Sequence, residues 1–149
     1  MSENLYLKLY RTQEKRIHDF ISEFAFFAFN DEQLEKGLQK FGIQREDMAE
    51  HFVRFTGGGF MLKSKVADYM ELSNAIAKET EDAIHDAQTG PQFAYQMFYY
   101  ELCNHEYSYT GDTWETLEAL GMNYEEVRED PILFEALRKA CKDVIRDAE

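Results

Sequence analysis

Apolar residues recur at three- and four-residue steps through most of this chain, and that spacing commits it to a largely helical fold. Over residues 3–24 the pattern runs Leu7, Tyr10, Ile17, Phe20, Ile21 and Phe24, with Lys8, Arg11, Lys15 and Arg16 between them. An amphipathic helix is predicted there, its first few residues alternatively a short strand. Over residues 32–41, Leu34, Leu38 and Phe41 share one face behind an Asn30-Asp31 cap, and Gly42 ends the run. A short helix over residues 45–51 follows. Ser64 is placed to cap a long helix over residues 65–87. The chain has only two prolines, and both read as helix openings, at Thr89-Gly90-Pro91 and Asp130-Pro131. Pro91 precedes an aromatic-rich helix (Phe93, Tyr95, Phe98, Tyr99, Tyr100). Pro131 opens a final helix lined by Leu133, Leu137, Cys141 and Val144. Asp112 and Glu115 have the spacing of a capping box for a short helix over residues 113–120, stopped by Gly121.

Three stretches break the helical period. The continuous aromatic run from Phe24 to Phe29 suits a buried strand. Phe52-Val53-Arg54-Phe55 and Gly59-Phe60-Met61-Leu62-Lys63 read as two more strands, joined by the turn Thr56-Gly57-Gly58. The fold class is therefore α+β: a mostly helical single domain over residues 1–149, with a small antiparallel sheet of two or three strands. The length of 149 residues fits one domain, and 44% hydrophobic residues suffice for one core.

Residues 1–9 alternate polar and apolar types, without the long apolar segment of a signal peptide. The longest apolar run, six residues from Phe24, falls short of the ~20 that span a bilayer. Cys103 and Cys141 stand 38 residues apart with no partner at metal-ligand spacing, and read as buried free thiols of a reducing cytoplasm.

Motifs that carry chemistry are incomplete. Thr56-Gly57-Gly58-Gly59 lacks the Lys-Ser/Thr of a phosphate-binding loop and leads into a strand, so a hairpin turn is expected. His105-Glu106-Tyr107-Ser108-Tyr109 begins like a zinc-protease helix but has Tyr109 where the second imidazole belongs. A general acid–base pair of His105 with Glu106 or Asp112 is the enzymatic alternative. No metal site, cofactor or catalytic set is expected.

The charge distribution is the feature that points toward a function. Residues 1–65 hold ten basic and ten acidic residues, and residues 131–149 hold four of each. Residues 66–130 hold two basic and 15 acidic residues, which is the whole net charge of −13. Between Lys78 and Arg128 no lysine or arginine occurs. At 100° per residue, Asp68, Glu71, Glu79, Asp82 and Asp86 fall within a stripe about 80° wide that rises about 27 Å along one helix. Val66, Tyr69, Leu72, Ile76, Ala83 and Ile84 lie between 40° and 160° and form the buried face, which leaves the stripe toward solvent. Such a stripe has the sign and scale of a nucleic-acid backbone and suits a basic groove. Direct binding to nucleic acid is excluded as the main role by the same charge. Glu106, Asp112 and Glu115 extend the candidate partner-binding set. A second reading uses the aromatic surface between Tyr99 and Trp114 as an assembly contact, since Tyr and Trp bring large area with few rotatable bonds.

Phe24-Ala25-Phe26-Phe27-Ala28-Phe29 with Asn30-Asp31-Glu32, then Gly57-Gly58-Gly59-Phe60-Met61-Leu62-Lys63-Ser64, then Tyr100-Glu101-Leu102-Cys103-Asn104-His105-Glu106-Tyr107 stand in a particular order and spacing. Over residues 20–125 the chain thereby resembles a family of small uncharacterised proteins of phages and mobile elements of Gram-positive bacteria. The resemblance implies a setting and carries over no functional residue. Small acidic proteins of such elements are often inhibitors of host-defence nucleases, anti-CRISPR and anti-restriction proteins among them. The expectation is a cytoplasmic, cofactor-free, monomeric or homodimeric protein in a bacterial host cell, with no membrane contact. It binds the basic surface of a nucleic-acid-processing protein, such as an RNA-guided nuclease, and blocks its access to DNA.

Overall fold

The computed structural model describes residues 3–149; Met1 and Ser2, which begin the alternating stretch over residues 1–9, lie outside the described residues. The fold is α+β and mostly helical, with a three-stranded antiparallel sheet, as the periodicity predicts. The chain divides into two compact units: Thr12–Ala77, and Met1–Arg11 together with Lys78–Glu149. The boundaries fall inside helices α1 (Leu5–Phe24) and α4 (Val66–Ile84).

In the Thr12–Ala77 unit, β1 (Ala25–Phe27), α2 (Asp31–Phe41), α3 (Met48–His51), β2 (Phe52–Phe55) and β3 (Gly59–Leu62) follow in order, with 3-10 turns at Arg45–Asp47 and Lys63–Lys65. The sheet order is β1-β3-β2, with Phe26 opposite Phe60 and Phe60 opposite Arg54. Local chemistry sets the ends of α2. Asn30 Oδ1 accepts the Gln33 N–H, while Gly42, in the left-handed region at φ 66°, donates to Gln39 O. Ile43 N–H reaches back to Leu38 O, which completes a Schellman stop. Phe26, Leu38 and Phe52 form the core here, with Phe26 stacked 5.3 Å from Phe60 and edge-on to Phe52 at 5.3 Å. Gly37 admits the Phe26 ring where a Cβ would stand 2.0 Å away.

The predicted strand from Phe24 to Phe29 is corrected to three residues. Phe24 closes α1, and the partner strand ends at Gly59, because Gly57 and Gly58 turn the chain with positive φ. Phe27 and Phe29 are exposed rather than buried.

In the other unit, α5 (Gly90–Asn104) packs along α9 (Pro131–Asp147), with α6 (Tyr107–Thr110), α7 (Trp114–Ala119) and α8 (Tyr124–Glu129) between them in sequence. Phe93, Met97, Phe98 and Leu102 of α5 meet Leu137, Ala140 and Val144 of α9 in its core. Burial of each of the larger of these side chains is worth about 1.5–3 kcal/mol. Asp130 caps α9 by accepting from Ile132 and Leu133 N–H, and Pro131 takes the first turn. Cys103 and Cys141 are free, but the expectation of burial is corrected: Cys103 is exposed and Cys141 half-buried, since residue 103 falls off the inward face of α5. Among the described residues no helix is long and apolar enough to cross a membrane.

Helix α4 departs from its prediction at both ends. Ser64 lies within a 3-10 turn rather than capping, and the helix stops at Ile84 instead of residue 87. The stop has a local cause. The Asp86 carboxylate accepts the Gln88 and Thr89 N–H groups, offering the backbone an alternative to another helical turn. Gly90 then passes so close to the Ile84 carbonyl that a Cβ would lie 2.2 Å from it. The inward face of α4 is mostly half-buried, with only Ile84 fully covered.

Candidate functional site

The end of α5 is anchored by a buried carboxylate. Glu101 is 8% exposed; its Oε1 accepts the Tyr6 hydroxyl at 3.0 Å, and its Oε2 lies 3.5 Å from His105 Nε2. Thr116 Oγ1, fully buried on α7, donates to the Glu101 carbonyl. Burial first, and then the Glu101 charge, push the Tyr6 hydroxyl far above its ordinary range, so it stays a donor. A buried carboxylate without such partners costs several kcal/mol, roughly, so this network holds α5 and α7 in register. His105 turns its other ring nitrogen toward Glu115, 3.7 Å away. Neither Glu106 nor Asp112, the partners of the enzymatic alternative, is the carboxylate beside it. Its carboxylate neighbours are one turn back on α5 and on α7, because the chain swings away at Glu106.

Glu106 takes a left-handed conformation at φ 55°, the one positive-φ residue besides glycine among the described residues. It breaks α5 and starts the single turn of α6, which Gly111, also left-handed, ends. Asp112 Oδ1 then accepts the Trp114 N–H at 2.8 Å and starts α7, while the Glu115 side chain faces His105 instead of closing a capping box. These turns stand Tyr109 and Trp114 out at 89% and 68% exposure. Glu106, Asp112 and Glu115 are exposed on the same ten-residue segment. Exposed Tyr and Trp rings offer large contact area with few rotatable bonds, which suits them to an interface.

Residues 9–143 match a family of unknown function, DUF7659. The chain belongs to that family. No curated protein matches it, and no solved structure does.

The acidic stripe of this DUF7659 protein is less regular than its angles predict. Asp68 and Glu71 are exposed on the first half of α4, within the Thr12–Ala77 unit, and Asp82 is exposed on its second half. Glu79 is half-buried, not solvent-facing. Asp86 lies beyond the helix, and the backbone N–H groups of Thr89 and Gln88 hold its carboxyl below the usual range. Two members have cations at hand, Asp68 with Lys65 at 3.6 Å and Asp82 with Lys78 at 2.9 Å. Helical angles overstate the stripe because they see neither side-chain partners nor the early stop.

Sequence reasoning missed α6 and α8. For α8 a signal existed: Asn123 and Glu126 are spaced as a cap, and Asn123 Oδ1 accepts the Glu126 N–H at 2.8 Å. It also missed paired tyrosines on α5. Tyr95 donates to Asp143 at 2.6 Å and Tyr99 to Asp147 at 2.7 Å, with Arg146 bridging both carboxylates. The hydrogen bond to Asp147 and partial burial push the Tyr99 hydroxyl up to about 12. These rings hold α5 to α9 and are not free contact area, so the aromatic surface contracts to Tyr109 and Trp114. Burial and the Asp147 charge raise the Cys103 thiol, and burial raises Cys141, so neither is an activated nucleophile at neutral pH. Among the described residues no group of three His, Cys, Asp or Glu side chains is placed to hold a metal ion.

Proposed function

We propose that this protein is a non-enzymatic acidic binding protein of the bacterial cytoplasm that occupies a basic, nucleic-acid-binding surface on a partner. The observation that carries this reading is the coincidence, on residues 105–115, of two exposed aromatic rings with three exposed carboxylates. The surrounding sequence from residue 79 to residue 127 holds no lysine or arginine. Arginine is the natural complement, because its guanidinium stacks on Trp and Tyr faces and pairs with carboxylates in a two-point fork. A groove that grips DNA phosphates presents such arginines in number. The most specific form of the proposal is an inhibitor of a host-defence nuclease of anti-CRISPR type, encoded on a phage or mobile element. Its support is the acidic charge and the resemblance drawn from the sequence.

A homodimer through Tyr109 and Trp114 is the second reading. The carboxylates around the rings weigh against it, since two copies would bring like charges together.

The test is capture from bacterial lysate at about 50 mM and about 500 mM salt, where screening differs severalfold. Each captured protein is then assayed for displacement from DNA by the purified chain. A basic DNA-binding partner, held at low salt only and displaced from DNA, supports the proposal. A partner held equally at both salts, or one whose DNA binding the chain leaves untouched, refutes it.

A further inference from the structure

The Thr12–Ala77 unit contains a groove of about 570 Å³ that neither the acidic segment nor the sequence motifs account for. It lies where the 3-10 turn at Arg45–Asp47 and α3 face strands β2 and β3. Its floor is apolar: Phe52 is 5% exposed, and Phe60, Leu34 and Met48 are half-buried beside it. Its rim is cationic, with Arg45, Arg54 and Lys63 against the single carboxylate Glu46.

These cations differ in their state of pairing. Arg45 lies 3.0 Å from Asp31 and 3.7 Å from Glu35. Arg54 and Lys63 make no ion pair among the described residues; Arg54 instead lies over the Phe60 ring, 5.7 Å from its centroid. Two exposed cations without an ion pair thus border one apolar floor, which is the polar complement an anionic head group needs. The volume falls within the ~300–1,000 Å³ of small-molecule sites, which join an apolar lining to a few placed polar groups.

We propose that this groove binds a small organic anion with an apolar body. The anionic head sits between Arg54 and Lys63, and the body lies along Leu34, Met48 and Ala49, because Phe26 and the Arg54 guanidinium take the two faces of Phe60. The carboxylate and phosphate-monoester classes share this chemistry. A charge-assisted pair with each cation holds the head, and removal of the body's surface from water supplies the remaining affinity. This site is independent of the acidic segment and of the function proposed for it.

The test is a titration of the full chain with decanoate and with decyl phosphate, followed by amide shifts in an NMR spectrum. 1-Decanol and inorganic phosphate serve as the body alone and the head alone. Saturable shifts at β2, β3 and Lys63 are expected with one or both anions, with 1-decanol and inorganic phosphate at least about tenfold weaker. Preference for one anion names the head group. In the double variant Arg54→Gln/Lys63→Gln, affinity falls about tenfold or more, whereas Arg128→Gln, an exposed cation elsewhere, leaves it unchanged. Thermal melting confirms that each variant folds, as expected for exposed side chains. Absence of binding by both anions, equal binding of 1-decanol, or full affinity in the double variant would overturn the site.

Discussion

In the Thr12–Ala77 unit eight basic residues stand against eleven acidic ones, whereas residues 78–149 hold six basic and 17 acidic. The difference reaches beyond the count. In the first unit the cations are mostly consumed: Lys15 pairs with Asp19, Lys36 with Glu32, Arg45 with Asp31, and Lys65 with Asp68. Lys40 donates to the backbone carbonyls of Ser22 and Ala25, while Arg54 and Lys63 rim one groove. In the second unit the carboxylates outnumber the basic residues, and Glu106, Asp112 and Glu115 share one exposed segment with Tyr109 and Trp114. Exposed ion pairs are worth only about 0–1 kcal/mol each, so matched charge says little about either stability or binding. The unmatched remainder, where it meets apolar surface, coincides with the two places proposed above as binding sites.

The comparison breaks most severely if the exposed rings prove idle. Tyr109→Ala with Trp114→Ala is expected to weaken capture of a basic partner by a hundredfold or more, on the order of two hot-spot side chains at ~2 kcal/mol each. The melting temperature stays where it was, because neither ring is packed; binding measured beside calorimetry separates the two effects.

Next in size is Gly37→Ala, which places a methyl group 2.0 Å from the Phe26 ring. Overpacking of this kind costs about 1–3 kcal/mol, read as a lower urea midpoint, and leaves the acidic segment of the other unit chemically unchanged. Tyr6→Phe follows. It removes the hydroxyl donor from the buried Glu101 carboxylate, a loss of about 1–3 kcal/mol in chemical denaturation.

The smallest expected effect depends on pH. His85 Nε2 lies 2.6 Å from Asp130 Oδ2, and Nδ1 lies 2.9 Å from the Glu81 carbonyl. Both partners are acceptors, so only the imidazolium satisfies both, and the hydrogen bonds to Asp130 and then Glu81 raise the His85 pKa. Stability from His85 is therefore complete below the ordinary imidazole value of about 6.5 and fades as pH rises through the raised folded value. For Asp130 burial works upward, but His85 and the Leu133 and Ile132 N–H groups prevail and lower it. Its contribution holds above the ordinary carboxylate range and fades as pH falls through the lowered folded value. Asp130→Asn keeps the cap on α9 and removes the charge. Less than about 1 kcal/mol is expected to be lost near pH 6, because His85 is partly exposed, and the His85 share of that loss fades at alkaline pH while the share from the N–H groups remains. A loss that does not change with pH would assign the effect to the cap instead.

Legibility in the sequence followed the range of the interaction. Asn30 and Gly42 announce α2, and Asp130-Pro131 announces α9, because capping is settled within four residues. The end of α4 was hidden, since the Asp86 carboxylate serves N–H groups that helical periodicity does not weigh. Helices of four and six residues, α6 and α8, show hardly one period of apolar spacing. The link from Tyr6 to Glu101 crosses 95 residues and leaves no local trace. For the candidate site, the sequence showed where cations are absent and which residues are acidic. It did not show that Tyr95 and Tyr99 are tied to α9 while Tyr109 and Trp114 stand free in water, because both pairs look alike as letters.

The most direct test of the account sets two charge reversals of equal size against each other. One is Glu106→Lys/Asp112→Lys/Glu115→Lys on the aromatic segment; the other is Asp68→Lys/Glu71→Lys/Asp82→Lys on α4. Affinity for the captured partner is measured across a salt series. The account predicts that the first variant loses binding at every salt concentration, while the second keeps the affinity of the parent to within about threefold, less than half a tenfold step on the 1.4 kcal/mol scale. Loss of binding in the α4 variant with retention in the first would contradict it and return the function to the helical stripe.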